Sequence, residues 1–126
     1  MQDFRNLLVW QKAHKVVLRT YAACAQLQRP GTYSLHNQVL RAAISVPANI
    51  AEGCGRAGDR DFRRFLRHSL GSACELEYYL LLLCDLGLAK GSIVKEIGRD
   101  TVEVKRMLGG LIRQMKVEGE FPAAKR

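Results

Sequence analysis

The chain predicts an all-α protein, an antiparallel up-and-down four-helix bundle. Three observations carry that expectation. Apolar residues recur at three- and four-residue steps through four long segments, the spacing of a helical stripe. Glycine, proline or a polar capping residue bounds each segment. The links between segments are short, which sets successive helices side by side and antiparallel.

The first helix is expected from about Leu7 to Gln28. Trp10, Ala13, Val17, Tyr21, Cys24 and Leu27 supply its apolar stripe, and Lys12, Lys15 and Arg19 fall largely outside it. Arg29-Pro30-Gly31 ends it, because proline disfavours helical geometry in the residue before it and glycine permits a turn. The second helix starts near Ser34 as N-cap. Leu35, Val39, Ala42, Val46, Ile50 and Gly53 mark its inner face, while Ala42, Ala43, Ser45, Ala48 and Ala51 would let another backbone come close. Pro47 removes a donor and crowds the preceding turn, so a kink or break is expected there.

Asp59 can cap the third helix. It continues through Phe62, Leu66, Leu70, Ala73, Leu76 or Glu77, Leu80 and Leu83 or Cys84 to about Leu86, where Gly87 can close it in a left-handed conformation. Its 78–83 run is apolar on more than one face, which predicts contact with two neighbouring layers, another subunit included. A fourth helix follows from about Ser92 through Ile93, Ile97, Val104, Leu108, Leu111 and Met115. Gly98, Gly109 and Gly110 weaken it unless packing requires small side chains there. Residues 1–117 thus read as one bundle domain and 118–126 as a short flexible basic tail.

The 126 residues suit a single domain, and 48% apolar composition is enough for a core, to which assembly could add further burial. The formal charge is +8. Residues 1–70 hold 11 basic and 4 acidic groups, residues 71–126 hold 9 and 8, so the positive field is assigned to the N-terminal half. Such a field concentrates polyanions and speeds their encounter. Cys24, Cys54, Cys74 and Cys84 form no CxxC pair and, with three histidines, do not resemble a zinc framework; free thiols in a reducing compartment are expected. No secretory leader is apparent, and the longest apolar run, 80–84, is too short to span a bilayer. A cytoplasmic location with no membrane and no cofactor is the expectation.

Two constellations stand out. Arg41, Asn49, Glu52 and Arg56 follow one another at steps of eight, three and four, and Glu75 on the third helix could join them. A structural polar network that sets helix register or subunit geometry is the first reading, a ligand contact the second. Arg60, Arg63, Arg64 and Arg67 recur by three or four residues as a dense helical patch, with Lys12, Lys15 and Arg19 as a similar patch on the first helix. Arginine grips phosphate through two donors and lysine adds less directional charge, so both patches are candidate nucleic-acid contacts without base reading. The competing reading is a solvated face with intramolecular Asp partners. Trp10 is expected as a core or subunit-interface anchor.

Catalysis is not expected. The arginines near Glu52 and Glu75 favour the ionised form, the opposite of what a general acid needs, and His14, His36 and His68 are widely separated. Asp59 and Asp61 are explained by the start of a helix, where negative charge is favourable.

The Arg41-Ala-Ala-Ile-Ser-Val and Asn49-Ile-Ala-Glu-Gly segments resemble a four-helix-bundle family first noticed in intervening sequences of bacterial 23S ribosomal RNA genes. Phe4, Leu7, Trp10, Ala13, Tyr33-Ser-Leu, Gln38, Arg56, Phe62, Phe65-Leu66, Gly71-Ser72 and Glu75-Leu76 extend the likeness over nearly the whole chain. Relatives of that family are similar to an accessory protein of diversity-generating retroelements, whose four-helix subunits form pentameric barrels and bind nucleic acid and a reverse transcriptase. The resemblance therefore implies a homo-pentameric ring. Ala42 departs from the usual Arg-Arg pair, which would weaken a nucleic-acid contact carried by that pair, and Pro47 stands where a less restrictive residue is often found.

The sequence is accordingly read as a non-enzymatic, homo-oligomeric nucleic-acid-binding or nucleoprotein-assembly accessory protein. Its expected partners are further copies of itself, RNA or DNA through phosphate contacts, and an acidic or reverse-transcriptase-like protein. The alternatives are a structural protein–protein interaction module without nucleic-acid binding and an enzyme using Glu52 or Glu75.

Overall fold

The computed structural model describes residues 2–26 and 30–115. A short 3-10 turn, Phe4–Asn6, precedes four helices: α1 (Leu8–Ala25), α2 (Tyr33–Cys54), α3 (Asp59–Asp85) and α4 (Gly91–Gln114). Each helix packs on the next and α4 closes the set against α1, while the diagonal pairs stay apart. This cyclic order is that of an up-and-down bundle. The proposed tail at 118–126 lies outside the described residues, as do Leu27, Gln28 and Arg29 at the expected end of the first helix.

The stripes converge on one core, with Val16, Val39, Ile50, Leu66, Leu76, Val104 and Leu108 among its buried residues. In α1 the buried line is Val9, Ala13, Val16, Thr20 and Cys24, one position away from the expected Trp10–Val17–Tyr21 line. Trp10 and Val17 are half-buried on the flank facing α2, and Tyr21 is exposed. Reading apolar letters alone passed over Thr20, whose hydroxyl donates back to Val16 O at 2.7 Å and so can enter the core satisfied. Thr101 does the same in α4, donating to Ile97 O at 2.8 Å.

Helix α2 begins at Tyr33 with Thr32 before it, so Ser34 sits inside the first turn and is not the cap. The helix continues through Pro47, so the break that was one of the two expectations there does not occur. The proline is buried, and packing there offsets the missing donor. Helix α3 starts at Asp59 after Gly58, which places Asp59 and Asp61 in its first turn, where they favour the positive end of the helix dipole. It closes as expected: Gly87 adopts φ +68° and the Leu88 amide donates back to Leu83 O at 2.9 Å.

The α2–α3 pairing is the most extensive in the bundle. A Cβ at Gly53 would lie 2.8 Å from Phe62 Cδ1 and 3.0 Å from Phe65 Cβ, so only glycine admits this approach. A row of polar groups runs along the same contact. Ser69 donates to Val46 O at 2.7 Å, and Ser72 meets Ser45 Oγ at 2.8 Å. Asn49 Nδ2 donates to both Ser45 O and Ser45 Oγ, at 2.8 and 3.0 Å.

Candidate nucleic-acid interface

The α1 patch is largely neutralised by α4. Asp100 pairs with Arg19 and lies 3.8 Å from Lys12, and Glu96 adds a 4.0 Å contact to Arg19. These acids sit four residues apart on the face of α4 that meets α1. Lys15 remains exposed, with no ion pair to a described residue.

The α3 arginines divide by role. Arg63 is half-buried and its Nε donates to Ile112 O at 3.2 Å, capping the C-terminal turn of α4 with a cation. Burial and the neighbouring Arg67 charge hold its pKa below the ordinary guanidinium value. Arg64 reaches Asp61 at 3.4 Å and lies over the Phe65 ring, 4.7 Å from its centroid. Arg56 approaches the same ring at 5.0 Å. Arg60 and Arg67 are exposed and also engaged with neighbouring groups. Phe62 and Leu66 anchor the helix from its buried side.

The expected network of Arg41, Asn49, Glu52, Arg56 and Glu75 is only partly assembled. Arg56 and Glu52 form the anticipated ion pair at 3.2 Å. Asn49 turns instead to Ser45, and Arg41 and Glu75 are exposed, with no hydrogen bond or ion pair to a described residue. The polar row along the α2–α3 contact is instead made by Asn49, which the sequence had singled out for a network, with the hydroxyls of Ser45, Ser69 and Ser72, which it had not. Because Ser45 faces Ser72, Glu52 and Glu75 lie roughly 15 Å apart along the bundle axis, too far to act as paired carboxylates.

Helix α4 carries a basic face that its near-neutral segment charge concealed. Lys95, Arg99, Arg106 and Arg113 follow at steps of four, seven and seven, on one side of the helix. All four are exposed. Arg106 forks onto Glu103 at 3.0 and 2.5 Å, which draws the Glu103 pKa below the usual carboxylate range. Lys95, Arg99 and Arg113 make no ion pair or hydrogen bond with a described residue. Lys105 turns the other way, bridging to Glu77 of α3 at 2.6 Å, and that bond raises its pKa.

Among the described residues, apolar surface remains uncovered in several places. A groove of about 460 Å³ lies between α1 and α4, lined by Leu7, exposed Leu8, Val9, Met107 and Leu111. Between α1 and α2, Phe4, Trp10, His14, Val17, Ile44, Pro47, Ala48 and Ala51 line a groove of about 270 Å³, with His14 stacked on Trp10 at 4.9 Å. On the α3–α4 side, Leu81 and Val102 lie one turn from the Glu77–Lys105 bridge and are 55% and 47% exposed. Among the described residues no cluster of three His, Cys, Asp or Glu could hold a metal ion, and no helix is long and apolar enough to cross a membrane.

The cyclic packing of the four helices defines a class, the all-α four-helix bundles. The chain belongs to the 23S rRNA-intervening sequence protein family, whose profile matches residues 5–110. It is similar to a protein of unknown function from the S23 ribosomal protein family of Bacteroides thetaiotaomicron. The two share 25% identity at a TM-score of 0.75, over 84% of this chain and 99% of that one. No functionally curated protein matches it.

Proposed function

We propose that the protein is a non-enzymatic, homo-oligomeric accessory protein that binds nucleic acid through the phosphate backbone. The observation that carries this reading is a set of exposed cations left without acidic partners, in a chain of formal charge +8. Ions of one sign that the fold does not neutralise internally attract a polyanion and release its counterions. The family's association with ribosomal RNA intervening sequences supports a nucleic-acid setting.

Assembly is supported by the uncovered apolar grooves at α1–α2 and α1–α4, which are separate faces of differing composition. Two unlike faces join head to tail, and such contacts close into a ring when the rotation allows. A pentamer of the retroelement-accessory kind is the specific form proposed, in the cytoplasm, with a reverse-transcriptase-like or other acidic protein as a further partner. In a ring each cationic surface repeats, and binding gains from avidity.

Native mass measurement and salt titration of RNA and DNA binding test the reading. The expected results are a discrete closed oligomer and an affinity that falls steeply with salt. A monomer at all concentrations removes the assembly; folded protein that binds no nucleic acid removes the function. The α1–α2 groove favours one other reading, a protein-interaction module. Capture of a single protein by a chain that binds no nucleic acid would select it.

A further inference from the structure

Resting on the nucleic-acid reading above, we propose that the outward face of α4 is the element that tracks the phosphate backbone, in place of the α1 patch. Lys95, Arg99, Arg106 and Arg113 span 19 residues of one continuous helix, a cationic edge of about 27 Å with exposed Val102 between Arg99 and Arg106. The acids of α4 are turned off that edge: Asp100 and Glu96 hold Lys12 and Arg19 on α1. The same contacts therefore hold Lys12 and Arg19, leaving Lys15 as the exposed cation of the α1 patch, and draw Asp100 and Glu96 toward α1. Only Arg106 on the edge carries a neighbouring carboxylate, Glu103.

The shape of this surface selects among anions. It is a rod of separated charges and not a pocket, so it suits a repeating phosphate chain better than a single phosphate group. No aromatic residue occurs on the described part of α4, so the face offers no platform for base stacking and holds backbone without reading sequence. Arg113 lies in the last helical turn, where the helix dipole favours a cation, so its presence costs the fold nothing when no ligand is bound.

The test compares two charge-matched variants, each removing two cations. Arg99→Ala/Arg113→Ala cuts the edge at points more than three turns apart, whereas Arg5→Ala/Lys90→Ala removes exposed cations elsewhere. Circular dichroism first confirms that both are folded. Affinity for a short labelled RNA duplex and its DNA counterpart is then measured across a salt series, with polyglutamate as an acidic-protein competitor. Each lost phosphate contact lowers the slope of log K against log salt by about 0.9, so the α4 variant should lose nearly two units and the control none. Loss with RNA alone, DNA alone or both supports the proposal and names the strand type. Duplex binding with an unchanged slope in the α4 variant overturns this inference and leaves the broader reading intact. Failure of the unaltered protein to bind either duplex removes both. Retention of polyglutamate in preference to the duplexes overturns the phosphate assignment in favour of an acidic protein.

Discussion

Glycine at position 53 should be intolerant of a single added methyl group, while glycine at position 98 should welcome one. Both lie inside helices, where replacing glycine with alanine gains about 0.5–1 kcal/mol from the unfolded chain's lost freedom. At Gly98 nothing lies within 4 Å of the new Cβ, so that gain should appear in full. At Gly53 the Cβ meets the Phe62 ring at 2.8 Å, the Phe65 Cβ at 3.0 Å and the Phe62 carbonyl at 3.3 Å. The ring edge can move; the Cβ and carbonyl are fixed to the α3 backbone and can shift only with it. Overpacking of this kind costs about 1–3 kcal/mol, which exceeds the propensity gain. The expected net loss for Gly53→Ala is about 1–2 kcal/mol, and the two variants should differ by about 2 kcal/mol in opposite directions from the parent. Urea unfolding followed by circular dichroism reads this as a shift in midpoint at constant slope. Protein concentration must be matched, since assembly would contribute to apparent stability. A Gly53→Ala midpoint at or above the parent's would refute the close-approach argument.

Two further expectations follow from the surface and the thiols. Asp100→Asn should release Lys12 and leave Arg19 only its 4.0 Å contact to Glu96, lowering stability by about 1 kcal/mol because the pairs are partly solvent-exposed, yet strengthening polyanion binding; an unchanged salt titration would show that these cations do not face the ligand. Burial pushes the Cys24 and Cys54 thiols up, and Asp3 adds to the rise at Cys54. Stability should therefore decline as pH rises through the ordinary thiol range, since the unfolded chain ionises first. A chromogenic disulfide reagent should label exposed Cys74 in the native state and reach Cys24 and Cys54 only on unfolding, which a time course with and without urea measures.

Helix number, helix order and most of α2 and α3 were readable from spacing, because Val39, Val46, Ile50, Leu66, Leu76 and Leu80 are apolar letters at buried places. The misassigned stripe of α1 has a definite cause. Its apolar arc is wide enough to include both Val16 and Val17, and the choice between them depends on which flank α2 covers. Thr20, Ser69 and Thr101 were passed over because a hydroxyl that returns its proton to a helix carbonyl is indistinguishable, in one dimension, from one facing water. Charge was misjudged for a related reason. Summing residues 71–126 to near neutrality hid the fact that α4 turns its acids to α1 and its bases outward. Within the 1–70 excess, Lys12 and Arg19 are held by those same acids, a pairing across helices that a sum over sequence does not show.

The serine row between α2 and α3 has a consequence for how this surface can diversify. Sliding α3 by one turn would strand the Ser69 hydroxyl and separate Ser72 from Ser45, so the hairpin has a single seating. With that ruler in place, the outer faces of α2 and α3 can exchange side chains while the spacing between those two helices stays constant. A library randomised at those outer positions should therefore yield new binding preferences on an unaltered frame.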